Sequence, residues 1–175
     1  MMKALMPSKD MLKYSCEESP NKLTVEYIGN WIDNLLNDKI RPSLKSAEPE
    51  ENVGPMTIIV GSNFEEIVKD TSKDVFVKFY APWCGHCKTL SPIWDELAEM
   101  YKDVEDLKIA KMDYTMNEAE GVSITGYPTV IFYSKHDKKG VKYEGPRDME
   151  SMKNWLENNS DVLKSKRLYD EKSEL

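Results

Sequence analysis

Hydrophobic and polar positions change their period several times along this chain. Between residues 23 and 39, Val25, Ile28, Ile32, Leu35 and Leu36 recur at roughly helical spacing behind Thr24, which is suited to capping. That spacing predicts an amphipathic helix. Residues 1–20 carry no such pattern and read as polar and irregular. Across residues 41–55 the prolines Pro42, Pro49 and Pro55 and the acids Glu48, Glu50 and Glu51 deny regular structure and predict a linker. From Met56 short apolar runs alternate with longer amphipathic ones. Strands are expected at Thr57–Val60, Val75–Tyr80 and Leu107–Met112, with Thr129–Tyr133 and Lys142–Tyr143 forming a hairpin about Ser134–Gly140. Helices are expected at about Phe64–Lys69, capped by Ser62 or Asn63, at Cys84–Tyr101, at Glu118–Val122, and from Met149 through Leu156. Val75–Tyr80 is apolar on both faces apart from Lys78, as a buried parallel strand should be, and Pro92 predicts a kink in the long helix. Residues 163–175 are charged, lack an apolar pattern and read as a flexible tail. The order β-α-β-α-β-α-β-β-α makes the expected fold class α/β, in layers.

Composition narrows the picture. The chain has 175 residues and 40% apolar content, enough for one packed core with extensions. Lys and Arg number 24 against 31 Asp and Glu, a net charge of −7. No basic stripe alternates with aromatics, so no nucleic-acid partner is expected. No apolar run approaches the ~18 residues of a membrane span, so no membrane insertion is expected. The first residues, Met1-Met2-Lys3-Ala4-Leu5-Met6-Pro7, lack the apolar stretch of a signal peptide.

The chemistry concentrates in Tyr80-Ala81-Pro82-Trp83-Cys84-Gly85-His86-Cys87-Lys88. A strand delivers a Cys-x-x-Cys pair to the start of a helix, where a disulfide can close and open with little movement. Cys84 is expected at the helix N-terminus, where free N–H groups and the macrodipole favour the thiolate, the reactive form. Cys87 lies almost a turn further in and less exposed. Cys84 is therefore the expected nucleophile and Cys87 the resolving thiol. His86, as imidazolium, would stabilise the Cys84 thiolate further, and Trp83 and Pro82 would fix the turn and supply an apolar rim. The pair read by itself also fits an inert disulfide or half of a metal site. Four-ligand zinc sites usually recruit a second pair, and only Cys16 and His136 remain.

Together with Ile109-Ala110-Lys111-Met112-Asp113, Gly126-Tyr127-Pro128-Thr129 and Tyr143-Glu144-Gly145-Pro146-Arg147, this segment resembles the active site of protein disulfide isomerases. Residues 56–160 resemble the family's second catalytic domain. Residues 23–46 resemble the closing helix and linker of the non-catalytic domain before it. The resemblance implies a thioredoxin-like fold, a central mixed β-sheet flanked by helices, with an N-terminal helical extension. It implies domains at 1–50, 51–162 and a tail at 163–175 of a chain that is a C-terminal piece of a longer protein. It implies formation, reduction and rearrangement of disulfides in unfolded or misfolded cysteine-containing proteins. Glutathione or an oxidase of the endoplasmic reticulum would be the electron partner, with no metal and no organic cofactor. Lys172-Ser173-Glu174-Leu175 resembles a retrieval signal, implying a retrieval receptor and residence in the lumen of that compartment.

The resemblance also assigns roles. Gly85 and His86 complete the motif. Pro128 matches the family's cis-proline, whose loop receives substrate backbone, with Tyr127 and Thr129 flanking it and Trp83 on the rim. Arg147 matches an arginine that assists deprotonation of the second cysteine. The family usually carries a buried glutamate six residues before the first motif cysteine, and this chain has Lys78 there. Lys78 could accept a proton as a neutral amine, lower the Cys87 pKa as a cation, or snorkel to water and take no part. Two rival functions remain open: a dedicated reductase, which would be expected to carry Pro in place of His86, and a peptide-binding chaperone module.

Overall fold

The computed structural model describes residues 2–6, 12–16, 19–52 and 54–173. The chain divides into two compact units, residues 1–45 and 46–175.

In the first unit β1 (Met2–Met6) and β2 (Leu12–Cys16) pair antiparallel, with Ala4 opposite Tyr14. The expectation of irregular structure over residues 1–20 is corrected by this hairpin. Its inward positions, Ala4, Tyr14 and Cys16, alternate at period two, but over segments too short to stand out. α1 (Val25–Leu36) starts where expected, with Thr24 Oγ1 accepting the Tyr27 N–H at 3.1 Å. Trp31 and Leu35 carry its buried face, packed with Tyr14 and Cys16, whereas Val25 is 90% exposed.

The second unit is built on a five-stranded sheet of β3 (Thr57–Ile58), β4 (Asp74–Tyr80), β5 (Leu107–Asp113), β6 (Thr129–Tyr133) and β7 (Val141–Lys142). Their order is β3-β5-β4-β6-β7. β5 runs parallel to both β3 and β4, while β6 is antiparallel to β4 and β7. Helices α2 (Phe64–Val68), α3 (Gly85–Met100), α4 (Met149–Asn159) and α5 (Asp161–Ser173) complete the unit. Side chains alternate along β4. Phe76 faces Leu90, Trp94 and Leu97 of α3 and Met152 and Leu156 of α4. Val75, Val77 and Phe79 face Phe64 and Val68 of α2. Burial on both faces explains the unbroken apolar run, each large side chain contributing about 1.5–3 kcal/mol. Phe76 anchors an aromatic cluster, with ring centroids 4.9 Å from Trp94 and 5.8 Å from Trp155. The β6–β7 turn closes at Gly140, whose φ is +86° and where a Cβ would meet the Tyr133 ring at 2.7 Å.

Two expectations give way. Residues 118–122 form turns rather than a helix: Gly121 has φ +72°, and the Tyr114 hydroxyl donates to the Val122 carbonyl at 2.7 Å. Residues 163–173, expected to be a flexible tail, are helical in α5. Ser160 Oγ accepts the Leu163 N–H at 3.2 Å and Leu163 is buried, so the helix has a cap and an anchor. The last two residues of the tetrapeptide ending the sequence lie outside the described residues. The linker lacks secondary structure but is pinned from residue 46 onward. Ser46 Oγ accepts the Ser62 N–H at 2.9 Å. Asn117 Oδ1 accepts the N–H groups of Ala47 and Gly61 at 2.8 and 2.9 Å. Asn52 Oδ1 accepts the Ile58 N–H at 2.7 Å.

Candidate active site

β4 ends at Tyr80, and the chain turns through Ala81-Pro82-Trp83 into α3. The turn closes with the Cys84 N–H donating to the Ala81 carbonyl at 3.1 Å. Cys84 is the N-cap of α3, with extended backbone (φ −76°, ψ 118°), and its sulfur accepts the Cys87 N–H at 3.3 Å. A thiol thus stands where a serine or aspartate oxygen usually caps a helix. Both thiols are free, Cys84 8% and Cys87 2% exposed. At 3.6 residues per α-helical turn, a spacing of three brings them to one corner, as the motif implied.

The environment separates the two thiols. Cys84 is held below the ordinary thiol range, first by the hydrogen bond from the Cys87 thiol; burial, next in size, opposes this, and the N–H groups of Cys87 and His86 and the charge of Arg147 add to the lowering. Cys87 is pushed up, mainly by burial and then by the same thiol–thiol hydrogen bond, with Lys78 pulling the other way.

The loop before β6 faces this pair. The Tyr127–Pro128 peptide is cis, and the Cys84 thiol donates to the Tyr127 carbonyl at 3.5 Å. Thr129 Oγ1 donates to the Gly126 carbonyl at 2.7 Å, bracing the loop. Trp83, 71% exposed, meets the Tyr127 ring edge-on at 6.0 Å, giving an apolar rim open to solvent. Arg147 donates from its guanidinium to the Pro128 carbonyl at 3.1 Å. It rests on the cis-proline loop, and its charge lowers the pKa of Cys84. Gly85 opens the helix with nothing within 4 Å of where a Cβ would sit, so packing alone does not demand glycine there. His86 is exposed between the thiols.

Lys78 is only 2% exposed, so its nitrogen stays beneath α3 instead of snorkelling to water. Nζ donates to Ser91 Oγ at 3.2 Å and lies 5.7 and 5.8 Å from the ring centres of Tyr80 and Trp94. Ser91 Oγ in turn donates to the Cys87 carbonyl at 3.0 Å. Sequence reasoning missed Ser91; its position four residues beyond Cys87, on the same helix face, was the available signal. Among the described residues no group of three or more His, Cys, Asp or Glu gathers that could hold a metal.

A dithiol at the head of the helix that follows the central strand of a mixed β3-β5-β4-β6-β7 sheet, faced by a cis-proline loop, defines a dithiol protein of thioredoxin-like fold. The family described as Thioredoxin matches residues 55–158, and the chain belongs to that family. It is 43% identical over 159 residues to a protein disulfide-isomerase of Drosophila melanogaster, covering 90% of this chain and 32% of that protein. It is 45% identical over 152 residues to one of Gallus gallus, covering 85% and 29%. The chain thus spans about a third of the length of the curated relatives it matches. Human ERp44 in a zinc-bound form superposes with a TM-score of 0.51 at 22% identity, over 59% of this chain and 30% of that one, which is a likeness of fold. Among the described residues no helix is long and apolar enough to cross a membrane.

Proposed function

We propose that this chain catalyses formation, reduction and rearrangement of disulfide bonds in secretory-pathway proteins through the Cys84-Gly85-His86-Cys87 dithiol. The observation that carries the reading is the Cys84 sulfur capping α3 at 3.3 Å from the Cys87 nitrogen. The Cys84 thiolate attacks a substrate disulfide, forming a mixed disulfide and releasing one substrate thiolate. Cys87 then attacks Cys84 Sγ, forming the Cys84–Cys87 disulfide and releasing the second substrate thiolate. The protein is oxidised and the substrate reduced; the reverse sequence installs a disulfide. Attack on the mixed disulfide by another substrate thiol rearranges pairings and returns the dithiol.

In this reading the Tyr127-Pro128-Thr129 loop and Trp83 receive the extended substrate chain, and Arg147 and His86 favour the Cys84 thiolate. Glutathione or an oxidase resets the electron balance, so neither metal nor organic cofactor is required. The lumen of the endoplasmic reticulum is the compartment implied. Similarity to protein disulfide-isomerases supports that, as does the need for an oxidising environment. The test is the equilibrium of the Cys84–Cys87 disulfide against a glutathione buffer, with recovery of native pairing in a scrambled multi-disulfide protein. Reference values for the two classes are about −180 mV for disulfide isomerase and about −270 mV for thioredoxin. A potential near the former with recovered pairing is expected. A potential near the latter, without recovery, makes the protein a reductase.

A further inference from the structure

The sequence carries the pattern Asn-x-Ser/Thr once, at Asn158-Asn159-Ser160, with a residue other than proline in the middle. That pattern is the acceptor of asparagine-linked glycans in secretory proteins. The reaction steps above leave it unused. We propose that Asn158 is a glycosylation site, modified before the junction of α4 and α5 folds. The inference rests on the secretory-pathway reading above and adds a covalent site to it.

The three residues have different surroundings. Asn158 and Asn159 end α4, and Ser160 follows as its C-cap with extended backbone (φ −87°, ψ 118°). Asn159 is committed to the helix, its side-chain amide donating to the Trp155 carbonyl at 2.7 Å. Asn158 is exposed, and its side-chain amide meets no partner among the described residues. Asparagine is a weaker helix former than alanine or glutamate, so neither packing nor helix propensity asks for it at 158. A bulky, solubilising glycan on its amide nitrogen extends into water.

Ser160 is the opposite case. It is wholly buried, and its hydroxyl donates to Asp74 Oδ2 at 2.6 Å and accepts the Leu163 N–H at 3.2 Å. The acceptor pattern demands a hydroxyl two residues after the asparagine, so the transferring enzyme must reach that hydroxyl. In the folded chain it is closed off, with donor and acceptor both taken. Asn158 is therefore an acceptor while the junction is still open, during synthesis. The shield is tertiary, because Asp74 lies 86 residues away, so the nascent segment presents the hydroxyl freely. Glycosylation consumes the Asn158 amide and leaves the hydroxyl intact to close on Asp74 afterwards. Asp74 and Tyr80 begin and end β4, roughly 20 Å apart at about 3.3 Å per residue. The glycan is thus attached near the end of the sheet away from the dithiol.

The donor is an oligosaccharide held through its anomeric carbon on a lipid pyrophosphate. The Asn158 amide nitrogen attacks that carbon and a C–N bond forms. The C–O bond to the pyrophosphate breaks, and the pyrophosphate leaves with the bonding pair. One amide proton passes to a base on the transferring enzyme. Nothing is oxidised or reduced.

The test makes the full chain behind a cleavable secretory leader in a cell-free system with endoplasmic reticulum microsomes. The protease-protected chain is expected to run heavier by one core glycan. An endoglycosidase specific for asparagine-linked glycans should remove the whole shift. Asn158→Gln, which leaves Ser160 in place, should lose the shift, and Ser160→Thr, which retains the hydroxyl, should keep it. A protected chain of unshifted mass overturns the proposal, as does a shift that survives Asn158→Gln. The order of events has its own readout in detergent-opened microsomes. A peptide of residues 153–165 should gain the glycan, whereas the folded full chain should not. Equal modification of both overturns the claim that burial of Ser160 sets the timing, and an unmodified peptide overturns the acceptor itself. In the scrambled-protein assay above, recovery of native pairing by a chain that gains no glycan overturns this inference alone. A glycosylated chain without recovery overturns the disulfide reading and leaves the site standing.

Discussion

The Cys84 sulfur stands 3.3 Å from the backbone nitrogen of Cys87, a contact that helps make two chemically identical side chains unequal. The N–H and the Cys87 thiol both point their positive ends at Cys84, while Cys87 donates its proton and sits deeper.

Alkylation by iodoacetamide should therefore reach its half-maximal rate at Cys84 below the ordinary thiol value of about 8.5, and at Cys87 above it. The sign follows from which form is favoured: a lowered pKa means thiolate, and reactivity, at lower pH. Cys87→Ser should accumulate a mixed disulfide through Cys84 with a substrate peptide, seen by intact mass. Cys84→Ser should not accumulate one at Cys87. Equal labelling of the two thiols across the pH range would remove the division of labour.

Arg147 lies on the Pro128 carbonyl at 3.1 Å, yet its side chain is exposed. Its charge lowers the Cys84 pKa more weakly than the hydrogen bonds do. Arg147→Gln should raise the Cys84 alkylation midpoint by no more than about a few tenths of a pH unit, the scale of an exposed ion pair. Raising the salt to about 1 M should erase the difference, since the Debye length falls to about 3 Å. A shift that persists in high salt would instead point to a lost prop under the cis-proline loop.

The second unit was legible because its signals are local and strong. An apolar run doubly buried, Val75–Tyr80, gave the central strand, and the motif following it gave the helix start at Cys84. Other features depend on distant partners. Helix α5 hangs on Ser160 and Leu163, a serine and one apolar residue in a charged stretch, and its outer turns expose Leu168 and Tyr169. The turn at 118–122 is set by the Tyr114 hydroxyl and the positive φ of Gly121. Hydrophobic periodicity records neither. The same holds for the linker: Asn117, buried in the second unit, holds Ala47 across seventy residues. Lys78 was conspicuous in sequence as a charge in an apolar strand, but whether it reached water depended on the packing of Trp94 and Ser91 over it.

Ser160 and Asp74 are both wholly buried and meet 86 residues apart, the Ser160 hydroxyl donating to Asp74 Oδ2 at 2.6 Å. The other carboxylate oxygen accepts the Lys135 N–H at 2.6 Å, and Ser160 Oγ accepts the Leu163 N–H. One hydroxyl thus joins the first residue of β4 to the α4–α5 junction. Ser160→Ala removes a donor from a buried carboxylate oxygen and an acceptor from a buried N–H, and should cost about 1–3 kcal/mol in urea unfolding. Asp74→Asn paired with Ser160→Ala should cost less than the sum of the two singly, because each already breaks the shared contact. The active-site thiols lie at the opposite end of β4, so Cys84 alkylation should be unchanged in Ser160→Ala. Additive losses would mean that the two side chains are buried side by side without energetic coupling, and that α5 is held by Leu163 alone.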